Sequence, residues 1–318
     1  MTAKCNIITD SPCDFTKVQA DAAGVPVLPF TYTENKPGGG FHGDDDLFQS
    51  VSSHDFYEMI RRGATPMTSQ PSQAVYEEAF RKVEEGGVPT VVICISSGIS
   101  GAYNGACTAR DRLAEEMGGE LPTPIYIVDS KITSTTQHLY VEEAIRQRDA
   151  GLTAEELVAW CEKATYLTHT IFMVDNLDTL HRGGRIPKAA SVAANLLDAK
   201  PLLTWKLNGE LTFLGVSRGR KKAMKKMFEY YKKNHSDDYF GPVVAIGDAD
   251  CPDDGDAFAE RLRHEYPGLR VLRSTIGPTI GCHVGPGMLS CCFWGEDRRG
   301  ARYADVGQEH IKGFTRNA

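Results

Sequence analysis

Long apolar runs are missing from this sequence. The longest uncharged apolar stretches, such as VVICI and IYIV, are far shorter than the roughly 20 residues that a membrane-spanning helix requires. The N-terminal residues MTAKCNIITD also lack the extended apolar region and the small-residue cleavage site of a secretory signal. We therefore expect a cytoplasmic protein.

Regular cysteine spacing and an excess of positive charge are also missing. The chain has nine cysteines but no Cys-x-x-Cys pair; Cys291 and Cys292 are adjacent, and Cys94 and Cys107 lie in apolar surroundings. This pattern gives no support for a disulfide framework and favours reduced, mostly buried thiols. The formal net charge of −7 argues against a general nucleic-acid-binding protein, although residues 217–227, SRGRKKAMKKM, are strongly basic.

What the sequence does contain is an alternation of short β-rich runs with amphipathic helical patterns. This alternation predicts an α/β fold with a parallel sheet in the first half of the chain. Strands are predicted at residues 5–10, 25–32, 89–95 and 125–129, and helices at residues 54–62, 73–84, 102–117 and 134–150. A further helix begins at a capping box formed by Thr153 and Glu156 and is expected to run to about residue 168.

The pattern then changes, because Asn208-Gly209 between two apolar runs indicates an antiparallel hairpin over residues 201–216. We predict an N-terminal parallel-sheet α/β domain, residues 1–165, and a C-terminal α+β domain with a mixed or antiparallel sheet, residues 166–318. Further elements of the second domain are predicted at residues 170–174 (strand), 187–197 (helix), 218–234 (basic helix), 242–248 (strand), 254–265 (helix) and 269–273 (strand).

A loop rich in glycine and aspartate, residues 33–53, is expected to be solvated and to lie on the surface. Its three consecutive aspartates, Asp44 to Asp46, lack the spaced ligands and the distal glutamate of an EF-hand, so we predict no metal site there.

Small polar or acidic residues follow three of the predicted parallel strands. In such a sheet the ligand crevice lies at the carboxyl ends of the strands, so these residues are expected to meet at one rim. They are the pairs Asp10-Ser11, Ser96-Ser97 and Asp129-Ser130.

The turn after the third strand, ISSGISGAYNGA (residues 95–106), precedes a helix. Free backbone N–H groups and the positive end of a helix dipole favour an anion at such a turn. The spacing of Gly98, Gly101 and Gly105 fits neither a phosphate loop nor a dinucleotide-binding loop, and no nucleophile elbow is present. The turn is therefore predicted either to bind an anion or to pack its helix closely against the sheet.

Three further segments carry candidate ligand-binding side chains. In TPMTSQPS, Ser72 is a predicted helix cap, and the prolines make Thr68 a candidate fixed donor. In LHRGGRIP, Arg182 and Arg185 flank a tight turn, which suits phosphate or carboxylate recognition or a solvated surface. In STIGPTIGCHVGPGML, glycines and prolines predict a constrained loop in which His283 contacts a ligand or is a satisfied core residue.

Together these motifs resemble the DegV family, the bacterial fatty-acid-binding proteins that serve as the FakB subunits of fatty acid kinase. Any one match is weak, but eight in the family's order over nearly the whole chain are specific. The matching segments are IITDSPCDF, TSQPS, ISSGISGAYNGA, IVDS, FMVDNLDTLHRGGRIPKAA, LLDAKPLL, SRGRKKA and IGPTIGCHVGPGML.

The resemblance implies a lipid-binding protein that is not itself an enzyme and that holds a long-chain fatty acid in a tunnel between two domains. It implies a partner, the fatty acid kinase catalytic subunit, which makes acyl phosphate for phospholipid synthesis. Neither a metal, nor a cofactor other than the bound fatty acid, nor a nucleic acid is implied, and membrane contact for lipid exchange would be transient.

Site residues follow from the same resemblance. The carboxylate is expected to contact Thr68, Ser97 and His283, and Ser96, Gly98 and Ser100 are expected to shape the turn. Phosphotransfer or kinase docking is expected to involve Arg182, Arg185 and Arg218. The chain reads SKITSTTQ after Asp129, where the family often has a glycine-containing stretch, so the tunnel wall near residues 130–137 is expected to differ.

Two other functions stay open on the sequence alone. One is a lipid sensor that has no kinase partner. The other is an enzyme that acts on a small phosphorylated substrate at the same rim, although no nucleotide-binding or catalytic-triad signature accompanies it.

Overall fold

Three sheets and ten helices are present in the computed structural model, which describes residues 3–36, 39–186 and 198–300. The strands are β1 Asn6–Asp10, β2 Val27–Leu28, β3 Thr31–Glu34, β4 Phe41–Asp44, β5 Met67–Ser69, β6 Thr90–Cys94, β7 Ile125–Asp129, β8 Thr168–Met173, β9 Ala199–Trp205, β10 Leu211–Arg218, β11 Val243–Asp248, β12 Arg270–Thr275 and β13 Leu289–Trp294. The helices are α1 Lys17–Ala23, α2 Ser53–Arg61, α3 Gln73–Gly86, α4 Ala102–Glu116, α5 Thr135–Asp149, α6 Ala154–Ala164, α7 Asp178–Arg182, α8 Arg220–Asn234, α9 Pro252–Glu265 and α10 Pro278–Val284.

The first sheet is parallel, with strand order β2-β1-β6-β7. The second has the order β10-β9-β8-β13-β11-β12 and is mixed, because β11 and β12 are parallel and the other neighbours are antiparallel. The predicted fold class, a parallel α/β sheet followed by a mixed sheet, is confirmed. The division into domains near residue 165 stays a prediction.

Helix α5 packs between the two sheets. Its residues Leu139, Tyr140 and Val141 belong to one buried apolar cluster that also includes Ile93 of the first sheet and Cys292 of the second. A helix buried on all sides shows little amphipathic periodicity, and the first turn of α5 buries polar residues as well. The polar N-terminus of α5 is therefore placed in the protein interior.

Local sequence signals gave most of the elements correctly. Ser72 caps α3, Thr153 and Glu156 form the predicted capping box of α6, and the hairpin turns at Asn208-Gly209. Helix α6 ends at Ala164 rather than near residue 168, because β8 already begins at Thr168. The helix predicted at residues 187–197 lies outside the described residues.

Three expectations were wrong. Residues 25–32 form two strands in different sheets, since Pro29 lacks the N–H that a continuous ladder needs. The loop expected at residues 33–53 contributes the hairpin of β3 and β4, and Asp45 is buried. The loop expected around His283 contains helix α10, which starts with Pro278 at its first position.

Among the described residues, no helix is both long enough and apolar enough to cross a lipid bilayer.

Candidate functional site

A narrow cavity is lined by residues from both predicted domains. Its walls include Ile95 at the end of the first sheet, Phe172 and Cys292 on the second sheet, and Ile280 of α10. The empty space measures about 640 Å³, including the part that opens to solvent. The cavity is therefore a tight, largely apolar slot rather than an open cleft.

The predicted polar rim forms at one edge of the first sheet, because β1, β6 and β7 are parallel neighbours. The two carboxylates of this rim, Asp10 and Asp129, accept hydrogen bonds from other groups of the protein. Asp10 accepts hydrogen bonds from the backbone N–H of Ile95 and the side chain of Gln137, both at 2.8 Å. Asp129 accepts from the N–H of Ser97 at 2.9 Å and from its hydroxyl at 2.5 Å. The rim acids thus hold the glycine-rich turn in place.

The turn directs its serines to different partners. The buried Ser96 donates through Oγ to the carbonyl of Gly209 at 2.8 Å, and a Cβ added at Gly98 would lie 2.5 Å from the carbonyl carbon of Gly209. Ser97 is exposed and does not line the cavity. Ser100 does line it, so Ser100 is the hydroxyl of this turn that a ligand in the cavity would meet.

Thr68 and His283 meet at the cavity wall, where Thr68 Oγ1 lies 2.8 Å from His283 Nε2. Burial lowers the pKa of His283 to about 4, with further lowering by the positive charges of Arg185 and Arg182. The imidazole is therefore neutral near pH 7. When its proton is on Nε2, it donates to Thr68 Oγ1 and leaves the hydroxyl proton of Thr68 free for a ligand.

The turn between the two arginines packs against this histidine. A Cβ added at Gly183 would lie 2.4 Å from His283 Nδ1, so the close approach requires glycine. Arg185 donates to the carbonyl of Ile99 at 3.0 Å and to that of Gly183. No carboxylate forms an ion pair with Arg185 within the described part of the chain, and burial lowers its pKa.

Arg185 also marks the cavity mouth. It lines both the cavity and an adjoining surface groove, as do Ile99 and Leu211. Arg182 is exposed close to His283, whereas Arg218 is exposed at the opposite end of β10 from Leu211. Leu211 and Arg218 are seven residues apart along this strand, which corresponds to roughly 20 Å. The structure therefore brings Arg182 and Arg185 to the site but places Arg218 well away from the mouth.

Two buried acids hold the N-terminus of α10. Asp14 accepts from the N–H of Gly277 at 2.8 Å, and Asp45 accepts from the N–H and the hydroxyl of Thr279 at 3.1 and 2.5 Å. Burial raises the pKa of Asp14 to about 8 and also raises the pKa of Asp45. These acids position the helix that carries His283. No cluster of three potential metal ligands occurs among the described residues.

Sequence reasoning missed most of the cavity floor. This floor consists of side chains on the inner faces of β8, β9 and β13 and at the start of α5, including Thr136, Thr170, Trp205 and Ser290. The only signal was the run of hydroxyl residues in SKITSTTQ, which was expected to alter the tunnel wall and which does line the cavity at residues 133–136.

Comparison with known proteins gives a consistent set of relatives. A family model described as "Uncharacterised protein, DegV family" matches residues 4–296. A DegV domain-containing protein of Clostridium perfringens is 32% identical over 257 residues, which cover 80% of this chain and 86% of the relative.

Solved structures share the fold. A Thermotoga maritima protein whose structure is described as revealing fatty acid binding function is 26% identical, with a TM-score of 0.75 and coverage of 92% of this chain and 99% of that chain. The Streptococcus pneumoniae fatty acid kinase B3 protein, loaded with linoleic acid, has a TM-score of 0.77 over 92% of this chain and 100% of its own. At 20% identity, the second likeness extends to the fold alone.

The protein is expected to lose stability as the pH rises from about 6.5 to 8.5, because burial raises the pKa of Asp10 to about 7 and that of Asp14 to about 8. An unfolded carboxyl group has a pKa of about 3.9, so the folded state holds extra protons, and their stabilising effect is lost as the pH passes the folded pKa. The lowered pKa of His283 makes the stability of the folded state rise with pH instead. That rise is complete above about pH 6.5, so it does not offset the loss expected at higher pH.

Thermal denaturation at several pH values measures this loss. Asp14→Asn is expected to reduce the slope, because the variant cannot release that proton. A wild-type melting temperature that stays constant or rises over this pH range, or an unchanged slope in the variant, would contradict the assignment.

Proposed function

The chain belongs to the DegV family, and we propose that it binds a long-chain fatty acid in the cavity and presents the carboxylate to a partner kinase. The observation that best supports this proposal is the combination of an apolar slot with neutral hydrogen-bond donors on its wall. Relatives of the same fold bind fatty acids.

The acyl chain would supply affinity and the donors would supply orientation. Burying an alkyl chain contributes about 0.8 kcal/mol per methylene group, so a long chain binds tightly without any charged partner. Because the slot is narrow, the chain would have to displace lining side chains, and the unbranched Met288 can adapt most readily.

We assign the carboxylate to Thr68, Ser100 and His283. Neutral donors suit this role, because a buried counter-cation would reduce the nucleophilicity of the carboxylate oxygen. Ser100 takes the place first expected for Ser97, since Ser97 binds Asp129 outside the cavity.

The partner in this proposal is the fatty acid kinase catalytic subunit, which would bring ATP. A carboxylate oxygen would attack the γ-phosphorus, the bond to the leaving ADP would break, and the product would be an acyl phosphate for phospholipid synthesis. Phosphoryl transfer depends on positioning and charge stabilisation. Arg185, which has no carboxylate partner among the described residues, lines the cavity mouth and would contact the transferred phosphoryl group.

Arg182 and Arg218 are exposed and would contribute to kinase docking. The carrier would act in the cytoplasm, with transient membrane contact during lipid exchange.

Mass spectrometry of an organic extract of the purified protein tests the proposed ligand. We expect a long-chain fatty acid at close to one molecule per chain, because the buried alkyl chain slows dissociation. A lack of bound fatty acid, together with failure to take one up from solution, would rule out this function and leave an enzyme on a small substrate as the alternative.

Thr68→Val with Ser100→Ala is expected to weaken fatty acid binding by about tenfold or more, because hydrogen bonds to a charged group are lost. Ser97→Ala is the matched control, since it removes a hydroxyl of the same turn that binds Asp129. Equilibrium binding with a fluorescent fatty acid measures both. If Ser97→Ala weakens binding and the double variant does not, the carboxylate contacts Ser97 instead of Ser100.

Arg185→Ala is expected to retain the fatty acid and to lower the kcat of acyl phosphate formation at least about tenfold, because an arginine near the transferred phosphoryl group stabilises the transition state. Arg218→Ala is expected to raise the KM for the carrier without changing kcat, since Arg218 is remote from the mouth. The assay uses ATP and the kinase subunit encoded in the same genome. Absence of any phosphorylation with the loaded wild-type protein would favour a lipid sensor.

A further inference from the structure

One row of side chains crosses the second sheet along the cavity floor. Cys292 of β13 is opposite Thr170 of β8, and Trp205 of β9 is opposite Leu211 of β10. The register between β8 and β9 pairs Phe172 with Leu203, and continuing it by two residues places Thr170 opposite Trp205. All four members of the row, Cys292, Thr170, Trp205 and Leu211, line the cavity.

The row runs from the cavity mouth into the interior. Leu211 also lines the surface groove at the mouth. Neighbouring strands are about 4.8 Å apart, so Thr170 lies roughly 10 Å further in than Leu211. A chain whose carboxylate stays near the mouth would therefore pass this part of the floor with its middle section.

One donor in this part of the floor is unpaired and another donates to sulfur. Trp205 is 7% exposed, and its Nε1 is buried with no hydrogen-bond partner among the residues that the structure describes. Thr136 Oγ1 lies 2.7 Å from Thr170 Oγ1 and 3.1 Å from Cys292 Sγ. If one hydroxyl proton lies between the two threonines, the other faces only sulfur, which is a weak acceptor.

Other hydroxyls of the floor are already paired. Ser290 donates to Thr135 Oγ1 at 2.9 Å, and Thr135 Oγ1 lies 3.2 Å from Ser274 Oγ. The unpaired indole N–H and the hydroxyl that donates to sulfur belong to the stretch of floor between Trp205 and Thr136. A plain alkyl chain would leave the indole N–H unpaired and the hydroxyl on a weak acceptor, whereas an oxygen on the chain would accept from them.

We propose that the preferred ligand is a long-chain fatty acid that carries an oxygen, as a hydroxyl or a ketone, near the middle of its chain. This inference rests on the proposed function. The indole N–H of Trp205 donates to the chain oxygen, and the Thr136–Thr170 pair provides the second contact. A ligand hydroxyl both accepts from Trp205 and donates to a threonine oxygen, while a ketone only accepts.

Competition against a fluorescent fatty acid tests the preference. The ligands are octadecanoic acid, hydroxyoctadecanoic acids substituted at successive positions along the middle of the chain, and the matching oxo acids. We expect at least one hydroxy or oxo acid to bind the wild-type protein more tightly than octadecanoic acid, with a clear optimum in position. The comparison of hydroxy with oxo acids tells which oxygen the site prefers.

Thr136→Val with Thr170→Val removes both hydroxyls without changing the side-chain shape, and Trp205→Phe removes the indole N–H. Each is expected to weaken binding of the preferred oxygenated acid by about tenfold relative to octadecanoic acid. Thr212→Val is the matched control, because Thr212 of β10 is buried next to Leu211 and does not line the cavity.

The outcomes separate this inference from the proposed function. If no fatty acid binds, the proposed function is wrong. Suppose instead that octadecanoic acid binds, that every oxygenated acid binds more weakly than octadecanoic acid, and that the ratio of the two affinities is the same in the wild type and in the double variant. The floor donors then select no chain oxygen, and the inference is overturned. A melting temperature for each variant confirms that it is folded.

Discussion

The site depends on one constraint, which is that a polar group buried between the two sheets is costly unless it is hydrogen-bonded. The first turn of α5 enters this region together with Asp10 and Asp14. Asp10 accepts from Gln137, and Asp14 accepts from Ser134 and from the N–H of Gly277. An unpaired group at this depth would cost about 1 to 3 kcal/mol, so these hydrogen bonds determine how α5 and α10 sit against the first sheet.

The same low-polarity surroundings set the charge of the site. Burial disfavours ionisation of acids and imidazole alike, so it raises the pKa of Asp14 and lowers the pKa of His283. The positive charges of Arg185 and Arg182 lower the pKa of His283 further and so favour its neutral form. The resulting arrangement has uncharged donors at the cavity wall and a cationic side chain, Arg185, at the mouth. The proposed carboxylate and phosphoryl group would therefore meet different electrostatic surroundings.

Features governed by a few neighbouring residues were readable from the sequence. The cap at Ser72, the turn at Asn208-Gly209 and the shared rim of β1, β6 and β7 are examples. Contacts between distant residues were not readable. Ser97 and Ser100 belong to one turn, but Ser97 binds Asp129, 32 residues away, and only Ser100 of the two lines the cavity. Strand β13 was not predicted from the sequence, because all six of its residues are buried and a strand buried on both faces gives no apolar–polar alternation.

The approach of Gly98 to Gly209 joins the two halves of the chain through main-chain atoms, with Ser96 fastening the contact. One edge of the mouth is consequently built from backbone, whereas the floor is built from side chains. Substitutions in the floor can therefore change the shape of the cavity without altering the width of its entrance. If the cavity holds a fatty acid as proposed, selection of the acyl tail and presentation of the head group are separable traits that can diverge independently.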